Sequence, residues 1–181
     1  MLKKHAGLCS ITSQIKIQVF KHPYTEIVLG AFEGKLCLCD FRYRKMRSVV
    51  DARIQAGLNA TFVEKNDPLL ELAKGQLNEY FMGTRSTFDI PLLPVGTIFQ
   101  KEVWHALLQI PYGQTTSYLG LATAINNPGA VRAVGSANGA NGLAIVIPCH
   151  RVINSNGGLG GFGGGIPLKQ RLLRLEQNLF I

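Results

Sequence analysis

The chain has 181 residues, 46% of them apolar, with four cysteines and a formal net charge of +8. That length buries one good core, or a small domain beside a medium one, and the charge favours a polyanionic partner, nucleic acid ahead of a membrane surface because no basic amphipathic helix stands out. No apolar run approaches the roughly 20 residues that cross a bilayer, and Met1-Leu2-Lys3-Lys4-His5 lacks the apolar stretch and cleavage site of a secretory leader, so a soluble cytoplasmic protein (nuclear in a eukaryote) with no membrane partner is expected.

Cys9, Cys37, Cys39 and Cys149 are too few and too unevenly spaced for a disulfide framework. Cys37-x-Cys39 with His5 or His22 would be the only zinc candidate; it lacks C-x-x-C spacing, and no metal is expected. From Gln14 to Tyr43 the pattern is β-like. Ile15, Ile17 and Val19 alternate, and the runs Ile27 to Phe32 and Leu36 to Phe41 flank Glu33-Gly34-Lys35, which reads as a hairpin turn. The densest basic cluster, Arg42, Arg44, Lys45 and Arg47, is open between a solvated loop and a phosphate contact. Asp67 and Pro68 read as the N-cap and first position of a helix carrying Leu69, Leu72, Leu77, Tyr80 and Phe81 to a break at Gly83. Pro91, Pro94 and Gly96 interrupt regular structure, which puts a domain boundary between residues 1–94 and 95–181.

The second half reads as helical. Phe99, Val103, Leu107 and Leu108 have helical spacing, ended by Ile110-Pro111-Tyr112-Gly113. A short helix from about Ser117 to Ile125, the turn Asn126-Asn127-Pro128-Gly129 and a helix from Ala130 to about Asn138 form either a helix-turn-helix or an ordinary helical hairpin. The small residues Ala130, Ala133, Gly135, Ser136 and Ala137 favour close approach to DNA. Then comes the apolar, strand-like run Ile145 to Ile153, interrupted by Pro148-Cys149-His150-Arg151. A free cysteine among Ile and Val is commonly inert core. Here Pro148 cannot donate to a sheet and turns the thiol toward a surface or pocket, while His150 and Arg151 set two titratable or cationic groups beside it, as a nucleophile needs. On an extended chain successive side chains point opposite ways, so something must bridge Cys149 and His150.

Gly158-x-Gly160-x-x-Gly163 has the letters of a dinucleotide fingerprint but not its βαβ setting, and reads instead as a loop whose backbone approaches a flat ligand. Pro167 with Leu168, Leu172, Leu175 and Leu179 marks a final amphipathic helix.

Pro148-Cys149-His150-Arg151-Val152, with Asn141 eight residues before the cysteine and Glu176 twenty-seven after it, resembles the active-site signature of the O6-alkylguanine-DNA alkyltransferases. The segments Tyr112 to Tyr118 and Pro128 to Gly135 resemble that family's DNA-binding half, and the likeness covers roughly Val95 to Glu176. It implies an α+β fold: a small N-terminal ribonuclease H-like β-sheet domain and a mainly helical C-terminal domain of winged helix-turn-helix type. It implies single-use transfer of an alkyl group from O6-alkylguanine, with O4-alkylthymine as a second candidate lesion, in double-stranded DNA to Cys149, after the base is flipped out. No cofactor is implied, and a monomer is expected, with cooperative binding along DNA left open.

The resemblance assigns roles residue by residue. A water links Cys149 to His150, and Glu176 orients the imidazole; Asn141 braces the turn before the active-site strand. Tyr118 rotates the phosphate and protonates guanine N3. Arg132 fills the vacated stack, on a face shared with Ala130, Val131, Ala133, Gly135 and Ser136. The lesion pocket uses the carbonyls of Cys149 and Val152, the Gly163 amide and the ring of Phe162. Three departures stand out. Phe162 replaces the family's usual tyrosine, Gly142 replaces a usual proline and should loosen its loop, and Gly161 and Gly163 to Gly165 should widen the pocket. Two other readings remain: a non-catalytic DNA-binding protein, whose known relatives lack the cysteine, and a cysteine hydrolase, for which no oxyanion arrangement is visible.

Overall fold

The computed structural model describes residues 13–178; His5, Cys9 and Leu179 lie outside the described residues. The chain opens with a meander of β1 (Ser13–His22), β2 (Thr25–Phe32) and β3 (Lys35–Phe41). Glu33 and Gly34 both adopt positive φ, 48° and 73°, the two-residue turn whose twist matches antiparallel strands. Helix α1 (Arg47–Leu58) then returns the chain to β4 (Ala60–Glu64), which pairs parallel with β1, giving the order β3-β2-β1-β4. Neither α1 nor β4 is visible in the sequence pattern. The helix buries only Val50 and Ile54, has no capping side chain at Met46, and begins inside the basic cluster, so its amphipathic signal is weak. Helix α2 (Pro68–Phe81) starts as expected, the Asp67 carboxylate accepting from the Leu69 amide at 2.9 Å.

The adjacent β3 residues Leu38 and Cys39 enter different cores. Leu38 joins Ile15, Val50, Ile54 and Ala60 in a small core under α1. Cys39 joins Leu29, Leu77, Tyr80, Val103, Leu107, Leu143 and Ile147 in the main core, which runs without a break from the sheet through α2 into the C-terminal part. That part is mainly helical: α3 (Ile98–Leu107), a two-residue strand β5 (Thr116–Ser117), α4 (Tyr118–Ala124), α5 (Val131–Gly139), β6 (Val152–Ile153) beside β5, and α6 (Ile166–Glu176). Thr97 and Gln100 make a reciprocal capping box on α3. Among the described residues no helix is long and apolar enough to cross a membrane.

The run Ile145 to Ile153 is not the extended strand expected. Ile145 has φ 72°, the Ile147 amide folds back to the Leu143 carbonyl at 2.8 Å, and Cys149–Arg151 form a 3-10 turn before β6. The segment is apolar because it is buried on every side, and burial alone does not distinguish a strand from a compact turn. The outer edge of β3 is covered by chain from beyond it: the Leu36 amide donates to the Pro91 carbonyl and the Cys39 amide to the Gly142 carbonyl, both at 2.8 Å. Gly142 is therefore tied to its surroundings despite its expected freedom. Its carbonyl is pinned to the sheet, and α1 closes so tightly on it that a Cβ would lie 3.1 Å from Val50.

Candidate active site

Cys149 is 6% exposed and lines an open cavity of about 360 Å³. Tyr118, Asn138, Asn141, Phe162 and Gly163 line it from the C-terminal part, and Phe41, Arg44 and Lys45 from the sheet side. A 3-10 turn spreads three consecutive side chains around its axis. Thus the thiol faces the cavity while His150 and Arg151 enter the protein, both buried. The separation of His150 from the thiol follows from this turn and not from strand alternation.

Behind the thiol sits one heavily used carboxylate. Glu176, at the end of α6, accepts from His150 Nε2 at 2.7 Å, Tyr80 Oη at 2.7 Å, Arg151 Nε at 2.8 Å and Nη2 at 3.0 Å, and the Gly113 amide at 3.1 Å. Burial by itself would raise its pKa, but the hydrogen bonds of His150 and Arg151, the charge of Arg151 and that of His150 once it is protonated at acid pH prevail and bring it down to about 2. Burial holds the imidazole below its ordinary value, against the pull of Glu176, so His150 is neutral near pH 7. With the ionised carboxylate accepting at Nε2, that nitrogen carries the proton. Nδ1 is then the basic atom, and it is buried with no hydrogen-bond partner among the described residues.

Burial raises the Cys149 thiol, and Asp40 adds to the rise; a hydrogen bond from Asn141 and the charges of Arg44 and Lys169 oppose it. Arg151 is not one of those cations, contrary to what adjacency suggested: its guanidinium is committed to Glu176 and, at 2.6 Å, to the Ile110 carbonyl. Asn141 ties off its loop, donating to the Ile147 carbonyl and accepting from the Leu143 amide, both at 2.9 Å. Lys169, fully buried on α6, donates to the carbonyls of Val152 at 2.5 Å and Leu159. Burial lowers its pKa to about 8 against the opposing charge of Cys149. Val152 itself is buried and does not line the cavity, whereas Phe162 packs edge-on against Phe41 with centroids 5.2 Å apart.

On α5, Arg132, Ala133 and Ser136 are exposed and Val131 and Gly135 are partly buried, as is Ala130 just before the helix. The half-buried Tyr118 ring lies against α5 at Gly135. The basic cluster is largely internal bracing: Arg42 pairs with Glu26 at 2.8 Å, Arg44 with Asp40 at 2.9 Å and Arg47 with Asp51 at 2.7 Å, while Lys45 is exposed. Cys37 and Cys39 donate to the carbonyls of Gly30 and Ala144, and no metal-ligating cluster occurs among the described residues.

Four residues of the site escaped the sequence reading. Tyr80 was counted as core and Arg44 as one of four similar cations. Asn138 carried no signal. Lys169 did carry one, a lysine between Leu168 and Leu172 on the buried stripe of α6.

Residues 98–178 match the family model described as 6-O-methylguanine DNA methyltransferase, DNA binding domain. A methylated-DNA–protein-cysteine methyltransferase of Methanosarcina barkeri is 42% identical over 88% of this chain and 96% of its own length. A constitutive methylated-DNA–protein-cysteine methyltransferase of Bacillus subtilis is 51% identical over 62% of this chain and 69% of its own. The crystal structure of Mycobacterium tuberculosis OGT in complex with DNA superposes with a TM-score of 0.76 at 39% identity, covering 91% of this chain and 93% of that one.

Proposed function

The chain belongs to the methylated-DNA–protein-cysteine methyltransferase family, and from that premise we propose that Cys149 is the alkyl acceptor of a direct-reversal DNA repair protein acting on O6-alkylguanine. The observation that carries this assignment is the division of labour at the 3-10 turn, with the Cys149 thiol on the cavity and His150 joined to Glu176 behind it. A base alkylated at the guanine oxygen is out of reach inside a stacked duplex, so it must be extruded. Arg132, exposed on the small-residue face of α5 with Ala130, Val131, Ala133, Gly135 and Ser136, fills the vacancy from the minor groove.

The resting thiol is protonated, because burial raises it. Its proton passes through a water to His150 Nδ1, and the buried Glu176 carboxylate stabilises the imidazolium that results. The thiolate attacks the alkyl carbon in line with the departing oxygen, and Tyr118 donates its proton to guanine N3 so that the base leaves neutral. Phe162 forms a wall of the lesion pocket, and the Gly163 amide and the Cys149 carbonyl read the base; the Val152 carbonyl, held by Lys169 away from the cavity, takes no part. The thioether is stable, so each molecule acts once. Two domains, 1–94 of ribonuclease H-like and 95–181 of winged helix-turn-helix type, a monomeric chain and O4-alkylthymine as a second lesion complete the reading. The antiparallel meander with parallel β4, and the small β5–β6 pair beside α4 and α5, support it.

The test is intact and peptide mass after incubation with duplex DNA holding one O6-methylguanine, beside a Cys149→Ala control. One methyl per protein, confined to the Cys149 peptide and without turnover, is the expected outcome. Binding without mass gain would reduce the protein to a lesion-sensing DNA-binding module.

A further inference from the structure

Tyr80 belongs to α2, in the sheet-bearing half of the chain, yet its hydroxyl reaches the His150–Glu176 pair of the C-terminal half. The side chain is fully buried, its ring packed on Phe81, Phe88 and Tyr112 at centroid distances of 5.7, 5.6 and 6.3 Å. Oη donates to Glu176 Oε1 at 2.7 Å, the same oxygen that accepts from His150 Nε2 at 2.7 Å. Oη and Nε2 stand 3.4 Å apart; with the proton on Nε2, both are donors converging on one acceptor.

The carboxylate does not need this donor for satisfaction. It has about four lone-pair sites, and His150, Arg151 twice and the Gly113 amide occupy that many. Tyr80 adds a further donor, and it does so at Oε1, where His150 and Arg151 Nη2 already meet, and not at Oε2. A phenylalanine would keep the ring contacts and bury no hydroxyl. What the hydroxyl changes is basicity: a hydrogen bond to an ionised group favours the ionised form, so the oxygen facing the imidazole binds a proton less readily. We propose that Tyr80 is a positioning residue for the base of the reaction: by donating to the Glu176 oxygen that His150 uses, it keeps the relayed proton on the imidazole and sets the pH at which His150 can accept one.

The inference rests on the alkyl-transfer reading above. The thiol S–H bond breaks, its electron pair stays on sulfur to form the bond to the alkyl carbon, and its proton reaches Nδ1 through the water. Nε2 keeps its own proton. Passing that proton on to Oε1 would neutralise Glu176 and strand the buried Arg151, and the Tyr80 O–H opposes it because a protonated oxygen is a poorer acceptor. The charged and titratable groups facing the ring are Glu176 and Lys169 from α6, Arg151 from the 3-10 turn and Tyr80 from α2, with Tyr112 behind Tyr80 and Arg151. Glu176 favours the imidazolium, and Arg151 and Lys169 oppose it. Burial and the Glu176 charge keep the phenol protonated, well above its ordinary value, so Tyr80 stays a neutral donor throughout. Without its hydroxyl the carboxylate draws more strongly on the ring, and His150 becomes more basic.

The test compares wild type with Tyr80→Phe in two readouts. One is the titration of the His150 ring nitrogens by long-range proton–nitrogen NMR, the signals identified by their loss in His150→Gln. The other is the pH profile of single-turnover methyl transfer from an O6-methylguanine duplex, whose rate falls at acid pH once His150 is protonated and cannot take the thiol proton. Wild type should carry its proton on Nε2 at neutral pH. In Tyr80→Phe the ring titration and the acid limb should both move up by roughly half to one pH unit, part of the worth of one hydrogen bond to a charged group. Should Tyr80→Phe not fold, Tyr80→3-fluorotyrosine, a stronger donor of similar shape, is expected to move both downward. An Nδ1-protonated ring in wild type, an unmoved titration, a shift of the opposite sign, or slowing at every pH with the acid limb in place overturns the inference while methyl gain at Cys149 stands. No methyl gain in wild type overturns both.

Discussion

Glu176 shows how a single buried carboxylate organises a reactive centre. Its five hydrogen bonds come from a histidine, a tyrosine, an arginine and a backbone amide, and removing its charge strands the buried Arg151. Glu176→Gln should therefore cost roughly 3–5 kcal/mol, measured by urea unfolding, and should slow methyl transfer. The pH dependence has a definite sign. Folded Glu176 titrates at about 2 against an ordinary 4.5, so its stabilisation is complete above pH 4.5 and is lost as pH falls toward 2. His150 is held below its ordinary 6.5, so the unfolded chain takes up that proton first and stability already declines below about pH 6.5. Both effects act in the same direction. The urea midpoint should fall steadily from pH 7 to pH 3, and in Glu176→Gln the decline below pH 4.5 should flatten.

At the scale of elements, α5 carries a face of small residues and one long cation, the face proposed above to meet DNA. Arg132 is exposed, so Arg132→Ala should leave stability within about 0.5 kcal/mol of wild type. On the role proposed for it, its effect belongs to base extrusion, where unstacking costs a few kcal/mol. Methyl transfer from duplex should slow roughly tenfold or more, while transfer from the free alkylated base, which needs no extrusion, should be unchanged. A lost phosphate contact would instead flatten the salt dependence of binding by about one unit. Elements with strong end signals were readable in the sequence: α2 through Asp67 and Pro68, the β2–β3 turn through Glu33-Gly34, and α4 and α5 through the Asn-Pro-Gly turn between them. Helix α1 and strand β4 were not, because α1 has few buried side chains and no cap, and β4 is short and only half-buried.

The whole molecule is held in register by contacts between its halves, and Arg44 is the clearest of them. From the loop after β3 it pairs with the fully buried Asp40 at 2.9 Å and donates to the carbonyls of Asn141 and Gly139, at the end of α5. Burial pushes Asp40 up and Arg44 holds it down; the same guanidinium also lowers the Cys149 thiol. Arg44→Ala should thus cost roughly 3–5 kcal/mol by stranding Asp40 and should slow methyl transfer at pH 7 beyond what the loss of folded protein explains. Arg44→Lys should recover part of the rate but little of the stability, because an ammonium cannot span the three acceptors. Urea unfolding and single-turnover rates on the same preparations would separate the two effects.

The sequence by itself determined what short-range chemistry can encode: the cysteine in its Pro-Cys-His-Arg setting, the two short helices with the turn between them, the caps and turns, and the positions of Asn141 and Glu176. Those signals lie within a few residues of one another or in a fixed spacing. The tertiary structure alone decided that Cys149 sits on a 3-10 turn, that Arg151 serves Glu176 while Arg44 and Lys169 act on the thiol, and that Tyr80 and Asn138 join the site. Each of those depends on burial and on partners distant in the chain, and hydrophobic periodicity reports only that a residue is inside, not what it meets there.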